Sequence, residues 1–287
     1  MMHETSIASR RRSQFRGTFR NWRNNDASLC ALRVALVATL LCLSRPASAQ
    51  DRVVVKQPGT GHFPLTGLVE DYTGKELIIR TKIGDRRRSF PKSEVIEVQT
   101  PYNAHHEKGR HLLANGQASE AAVELNQAIK EEDRIWVRRE ILALLVKCAL
   151  WNGDYRPAVS RFLLITESDP ETFHFNVAPL AWTDDVPATD LRLEAKTWMA
   201  SRSPMSKLFG ASHLLSEPAS SADAEAALRF LSRESNLRVQ RLAQMQLWRQ
   251  RVRTGAASPA EMARWETAVE ELPEEIRAGG YFVLGQA

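Results

Sequence analysis

Cysteine is scarce in this chain, with Cys30, Cys42 and Cys148 the only thiols in 287 residues. The first two fall in an N-terminal stretch that reads as a leader, so the remainder holds Cys148 alone and has no internal disulfide open to it. Cys148 lies inside the apolar run Ile141 to Leu150, where a thiol reads as a small buried hydrophobe. Long hydrophobic runs are missing too. Val34 to Leu43 spans about ten residues, half of the roughly 20 a helix needs to cross a bilayer, and Arg33 and Arg45 fence it. Common catalytic signatures are also wanting: there is no Walker glycine-lysine motif and no Gly-x-Ser-x-Gly elbow. Gly59-Thr-Gly61-His-Phe-Pro64 fails as a dinucleotide loop, because proline replaces the third glycine and no helix follows to present amides to a phosphate. No cofactor is expected.

A surplus of positive charge is confined to one end. The net charge is +5, but residues 1–49 carry eight arginines against Glu4 and Asp26, which is +6, and leave −1 for the rest. A nearly neutral body exerts no general pull on polyanions, which argues against a nucleic-acid partner. The same stretch has the three parts of a secretory signal: an arginine-rich start, the apolar run, and Ala47-Ser48-Ala49 before Gln50. Leu41 before Cys42 does not suit lipid attachment, and Phe15 sits one place late after Arg11-Arg12 for a twin-arginine signal, which favours general secretion. The expectation is a periplasmic or extracellular protein, with residues 1–49 as signal and no stable membrane span after cleavage.

Residues 50–100 have the alternation and punctuation of β-structure. Arg52 to Lys56, Leu65 to Tyr72, Glu76 to Arg80, Arg87 to Phe90 and Val95 to Val98 are the candidate strands, separated by Gly59, Gly61, Gly74 and Gly84-Asp85. Five short strands with tight turns are expected to curl into a small barrel, and Gly67 in a long strand followed by Ser93-Glu-Val-Ile96 resembles Sm-like and SH3-like barrels. The Asp and Asn pattern with which Sm proteins hold RNA does not follow Gly67, so that function is not implied.

From Asn103 the period becomes helical. Ala114-Asn-Gly-Gln-Ala-Ser-Glu-Ala121 superposes on Trp151-Asn-Gly-Asp-Tyr-Arg-Pro-Ala158 with a spacing of 37 between Gly116 and Gly153. Residues 101–170 thus resemble two tetratricopeptide-type hairpins, on Gly109, Gly116, Ala121, Leu125 and Ala128 in the first and Gly153, Asp154, Tyr155, Ala158, Phe162, Asp169 and Pro170 in the second; Val146 departs from the small residue of the pattern. Residues 171–189, with Pro179 and Pro187 and the aromatics Phe173, Phe175 and Trp182, read as an irregular strap. Helices resume over 190–287 at Asp190, Ser203-Pro204, Ser221, Asn236 and the capping box Ser258-Pro-Ala-Glu261, a HEAT-like continuation. Val239, Leu242, Met245, Trp248 and Val252 mark one buried face, with the arginines of that helix expected outside. The fold class is therefore mainly α: solenoid-like helix hairpins preceded by a small β-domain.

Three clusters invite a functional reading. His105-His106-Glu107-Lys108-Gly109-Arg110-His111 resembles a zinc-protease helix, but a gap of five rotates His106 and His111 by about 140°, so no metal is expected and a solvated face is. Arg86-Arg87-Arg88 reads either as a partner-binding patch for an anionic polymer or as a charged guard on a strand edge. Trp182, Asp184 and Asp185 are candidates for partner contact at the strap, although helix-start solvation also accounts for the acids. The resemblance to helical repeats implies a non-catalytic scaffold for a protein or peptide partner. The alternatives are an envelope enzyme with its site near Tyr102, His105 and His106, and a structural component binding a polymer through Arg86 to Arg88.

Overall fold

A computed structural model describes residues 50–57, 59 and 61–287, so the expected signal lies outside the described residues. The described chain belongs to one compact unit, Gln50–Ala287. It opens with five strands: β1 (Asp51–Lys56), β2 (His62–Tyr72), β3 (Glu76–Thr81), β4 (Arg87–Pro91) and β5 (Val95–Gln99). All neighbours pair antiparallel in the order β4-β3-β2-β1-β5. The end strands β4 and β5 do not pair with each other, so the sheet is open and the expected barrel is corrected.

The reason is long-range. A curled sheet closes to hide its own apolar face; here a helix hides it. Val53, Val55, Leu77 and Ile79 alternate inward on their strands and share one core with Trp136, Val137 and Ile141 of α3. Trp136 Nε1 donates to the Val69 carbonyl of β2 at 3.2 Å, beside a register shift between Val69 and Asp71.

Ten α-helices follow among the described residues: α1 (Ala104–Ala114), α2 (Ala118–Glu131), α3 (Ile135–Trp151), α4 (Tyr155–Ser168), α5 (Thr189–Met199), α6 (Pro204–Leu214), α7 (Ser221–Leu231), α8 (Leu237–Arg253), α9 (Pro259–Glu270) and α10 (Glu274–Leu284). Consecutive helices pack as hairpins along α1 to α4 and again along α5 to α8. Gly116 and Gly153 hold φ of +78° and +77° at the α1–α2 and α3–α4 turns, a left-handed conformation that glycine adopts without a Cβ penalty. Asn103, Ser203 and Asn236 cap their helices through side-chain oxygens, and Ser258 with Glu261 forms the reciprocal capping box.

α3 is the hinge of the packing. One side of it joins the sheet core, while Ala143, Val146 and Ala149 join a second core with Phe162, Phe209 and Leu228. A helix buried on two sides is apolar nearly all round, which is what Ile141 to Leu150 shows. Val146 is fully buried there. Between α4 and α5 runs a short 3-10 turn, Phe173–Val177, and then extended chain to Ala188; this connection is termed the strap. α10 returns to pack on α8 and on the 3-10 turn, which itself lies against α3, so the C-terminal hairpin folds back on the middle of the molecule. Among the described residues no helix is long and apolar enough to cross a membrane.

Candidate binding cleft at the strap

The strap is held down by backbone-directed bonds. Ala181 N–H donates to Ser212 Oγ at 3.2 Å, and His213 Nε2 lies 3.1 Å from the Pro179 carbonyl, which can only accept, so that nitrogen carries the proton. Arg249 of α8 does most of the clamping. Its guanidinium donates to the Ala181 carbonyl, to Gln246 Oε1 at 2.8 Å, to the Ser212 carbonyl at 3.1 Å and to Ser216 Oγ at 3.4 Å. The side chain is 2% exposed, and burial pulls its pKa down to about 10, so it stays charged at neutral pH. The expectation that the arginines of this helix face solvent is corrected for this residue.

Pinned in this way, the strap forms one wall of a cleft of about 1090 Å³. The turn Gly153 to Pro157 and the start of α5 line it, His213 stands in its lining, and Ala278, Gly279 and Phe282 of α10 complete it. Trp182 packs against α10, where a Cβ on Gly279 would come within 2.3 Å of the indole ring. Val186 and Phe282 line the cleft and are 56% and 45% exposed, an apolar surface turned to water instead of the core. The polar lining is mainly acidic: Asp154, Asp185, Asp190 and Glu194 against Arg156. Arg156 pairs with Glu194, while the three aspartates have no ion-pair partner among the described residues.

Trp182 and Asp185 both line this cleft. Asp184 stands 4.0 Å from Arg249 Nε and is absent from the lining. Arg86, Arg87 and Arg88 lie on the sheet. Arg86 ends the β3–β4 turn, its carbonyl accepting from Thr81 N–H at 2.9 Å. Arg87 donates to Glu70 at 2.8 Å, and Arg88 stacks over Phe90 at 5.1 Å and Phe63 at 5.8 Å. β4 is an end strand, and its basic residues are partly neutralised or stacked.

The histidine cluster is split by the helix phase. His105 bonds Glu124 at 2.7 Å and His111 lies beside Asn115, but His106 is fully buried against Tyr102, with ring centroids 4.1 Å apart. The expected solvated face is corrected at that position. Neither ring nitrogen of His106 has a hydrogen-bond partner among the described residues; Glu140 is 3.8 Å away and accepts instead from Tyr102 Oη at 2.8 Å. Arg249, His213 and Gly279 were not read from sequence as parts of a site.

Burial pushes the imidazoles of His106, His174 and His213 down to about 4. In the unfolded chain each binds a proton near pH 6.5, which the folded chain does not take up until about pH 4, so their stabilisation is complete above 6.5 and lost as pH falls towards 4. The half-buried carboxyl of Glu140, raised by desolvation, takes up its proton more readily in the folded chain and so opposes this trend in part. Urea midpoints are therefore expected to fall steadily between pH 7 and 5, with a slope approaching ~1.4 kcal/mol per pH unit for each histidine. Equal midpoints at the two ends would show that these rings are not buried neutral.

Comparison with known proteins gives no matching family model, no matching curated protein and no matching solved structure.

Proposed function

We propose that the chain is a non-catalytic scaffold that holds a protein or peptide partner in the cleft between the strap, α5 and α10, and that it works outside the cytoplasm. One observation carries the binding reading: a cleft of about 1090 Å³ with Val186 and Phe282 left half-exposed at its surface. Exposed apolar side chains gathered in a concavity mark a place where another molecule recovers the burial. The tetratricopeptide-like spacing of Gly116, Ala121, Gly153, Tyr155 and Ala158 supports the same conclusion, since such hairpins are chiefly platforms for partner segments. Tyr155 belongs both to that pattern and to the cleft. The arginine-rich leader with its apolar run supports export.

Photo-crosslinking in intact cells tests the cleft. A crosslinking residue in place of Val186 or Phe282 is expected to give one discrete protein or peptide adduct, lost when Trp182→Ala is added. The same residue in place of Ile83, which is 89% exposed on the β3–β4 turn, is expected to give none. Adducts of equal yield from Ile83, or none from the cleft positions, would remove the proposal.

A further inference from the structure

We infer that the segment held in the strap cleft is a basic one, with lysine or arginine flanking a large apolar side chain; this deepens the scaffold reading and rests on it. The cleft offers two kinds of surface side by side. Val186, Phe282 and the edge of Trp182 present apolar area that water covers in the free protein. Asp154, Asp185 and Asp190 surround it from three separate elements, the α3–α4 turn, the strap and the first turn of α5.

Asp154 also belongs to the repeat-like turn, but none of the three carboxylates is spent on an ion pair among the described residues. Asp154 precedes α4 but makes no side-chain capping bond, so its carboxylate is not committed to the helix start. Asp190 lies in the first turn of α5, where the helix dipole stabilises an anion, yet no basic side chain pairs with it among the described residues. Among the described residues Asp185 accepts only from Thr183 Oγ1, at 2.8 Å. Arg156, the sole basic residue of the lining, is taken up by Glu194. The cleft therefore carries three carboxylates with no ion-pair partner among the described residues around an apolar patch; Arg161 is near enough to act on Asp154, whereas Asp185 and Asp190 have no such cation. Negative charges lining one concavity raise its affinity for a cation. A cationic peptide pairs with them, while its apolar side chain covers Val186 and Phe282. An anionic segment gains the second and is repelled by the first.

The test uses the full chain and three fluorescent peptides of one sequence, in which a central leucine is flanked by paired lysines, paired glutamines or paired glutamates. Anisotropy titrations at low salt are expected to rank them lysine, then glutamine, then glutamate, with about a ten-fold weakening at each step. The lysine peptide is expected to lose about ten-fold on Asp185→Asn with Asp190→Asn, and about as much on raising the salt, while the glutamine peptide is unmoved by both. Both aspartates are exposed, so the variant keeps the fold, which an unchanged far-ultraviolet spectrum checks. If the glutamine or glutamate peptide binds as well as the lysine peptide, and does so through Trp182, the charge assignment is wrong and the cleft reading survives. If no peptide binds and the cleft positions give no crosslink, both fall.

Discussion

Arg249→Met is expected to destabilise the protein by about 2–4 kcal/mol, because it strips the strap of its clamp and leaves the Ala181 and Ser212 carbonyls without that donor. Replacing a buried ion pair by apolar side chains can be neutral, since both charged partners leave together. Here the partners cannot leave. Two of them are the main-chain carbonyls of Ala181 and Ser212, and a third is Gln246, whose own Nε2 has no partner among the described residues. Methionine has much of arginine's length, so the void is small and the loss reports hydrogen bonding more than packing. Arg251→Met is the matched control. That guanidinium pairs with Glu261 at 2.9 Å near the surface, where such a pair contributes no more than about 1 kcal/mol. Guanidinium midpoints for the two variants should differ widely, and amide exchange at Ala181, which donates to Ser212 Oγ, should quicken only in Arg249→Met. If Arg249→Met unfolds at the parent midpoint, the strap is fixed by something else and the cleft wall loses its support.

The spacing of α8 already placed this residue. Val239, Leu242, Gln246 and Arg249 recur at steps of three, four and three, the stripe that faces the core. Reading residue type over position sent Arg249 outward, because arginine is seldom fully buried unless its five donors are met. Those acceptors come from Ala181, Ser212 and Ser216, on other elements, and no local pattern announces them. Local chemistry was easier to read. The five strands stand where alternation and glycine punctuation put them, and the capping box at Ser258 and Glu261 forms as its spacing implies. That the sheet stays open was not legible, since it turns on Trp136 of α3 covering Val69 and its neighbours from far along the chain. His106 misled for a related reason: its helix is polar on both sides of that residue, and the burial comes from Tyr102 and from Glu140 on α3. Trp182 and Asp185 stand out by type and by their place in the irregular strap, whereas the residues that make a cleft of them, Asp154 on one turn and Phe282 on the last helix, converge only in three dimensions.

Gly74→Ala is expected to cost about 2–4 kcal/mol, by prising the sheet from the helices. Gly74 sits in the β2–β3 turn against the end of α4, and a Cβ there would fall 1.6 Å from the Glu171 carbonyl oxygen and 2.3 Å from its carbon. Both atoms are backbone, so no rotamer change relieves the clash, and the turn must lift away. Lifting it breaks the bond from Gly74 N–H to Asp169 Oδ2 at 2.9 Å and strains the neighbouring links that Arg139 makes. That guanidinium, 3% exposed, reaches Asp71, the Tyr72 carbonyl at 3.1 Å and Ser168 Oγ at 2.8 Å. The Tyr72 and Phe173 rings, 4.9 Å apart, lie across the same junction, so the damage reaches the start of the strap. Gly61→Ala serves as the control, because a Cβ at Gly61 meets only the Gln57 side chain, at 3.5 Å or beyond. Denaturant midpoints should therefore fall for Gly74→Ala and hold for Gly61→Ala. Since the strap leaves this junction to form the wall of the cleft, Gly74→Ala should also weaken the lysine peptide although no atom of residue 74 lines the site. A variant that is less stable but binds at parental strength, measured where it is still folded, would show that the sheet is a passenger; weakened binding would make it the foundation that sets the strap in place.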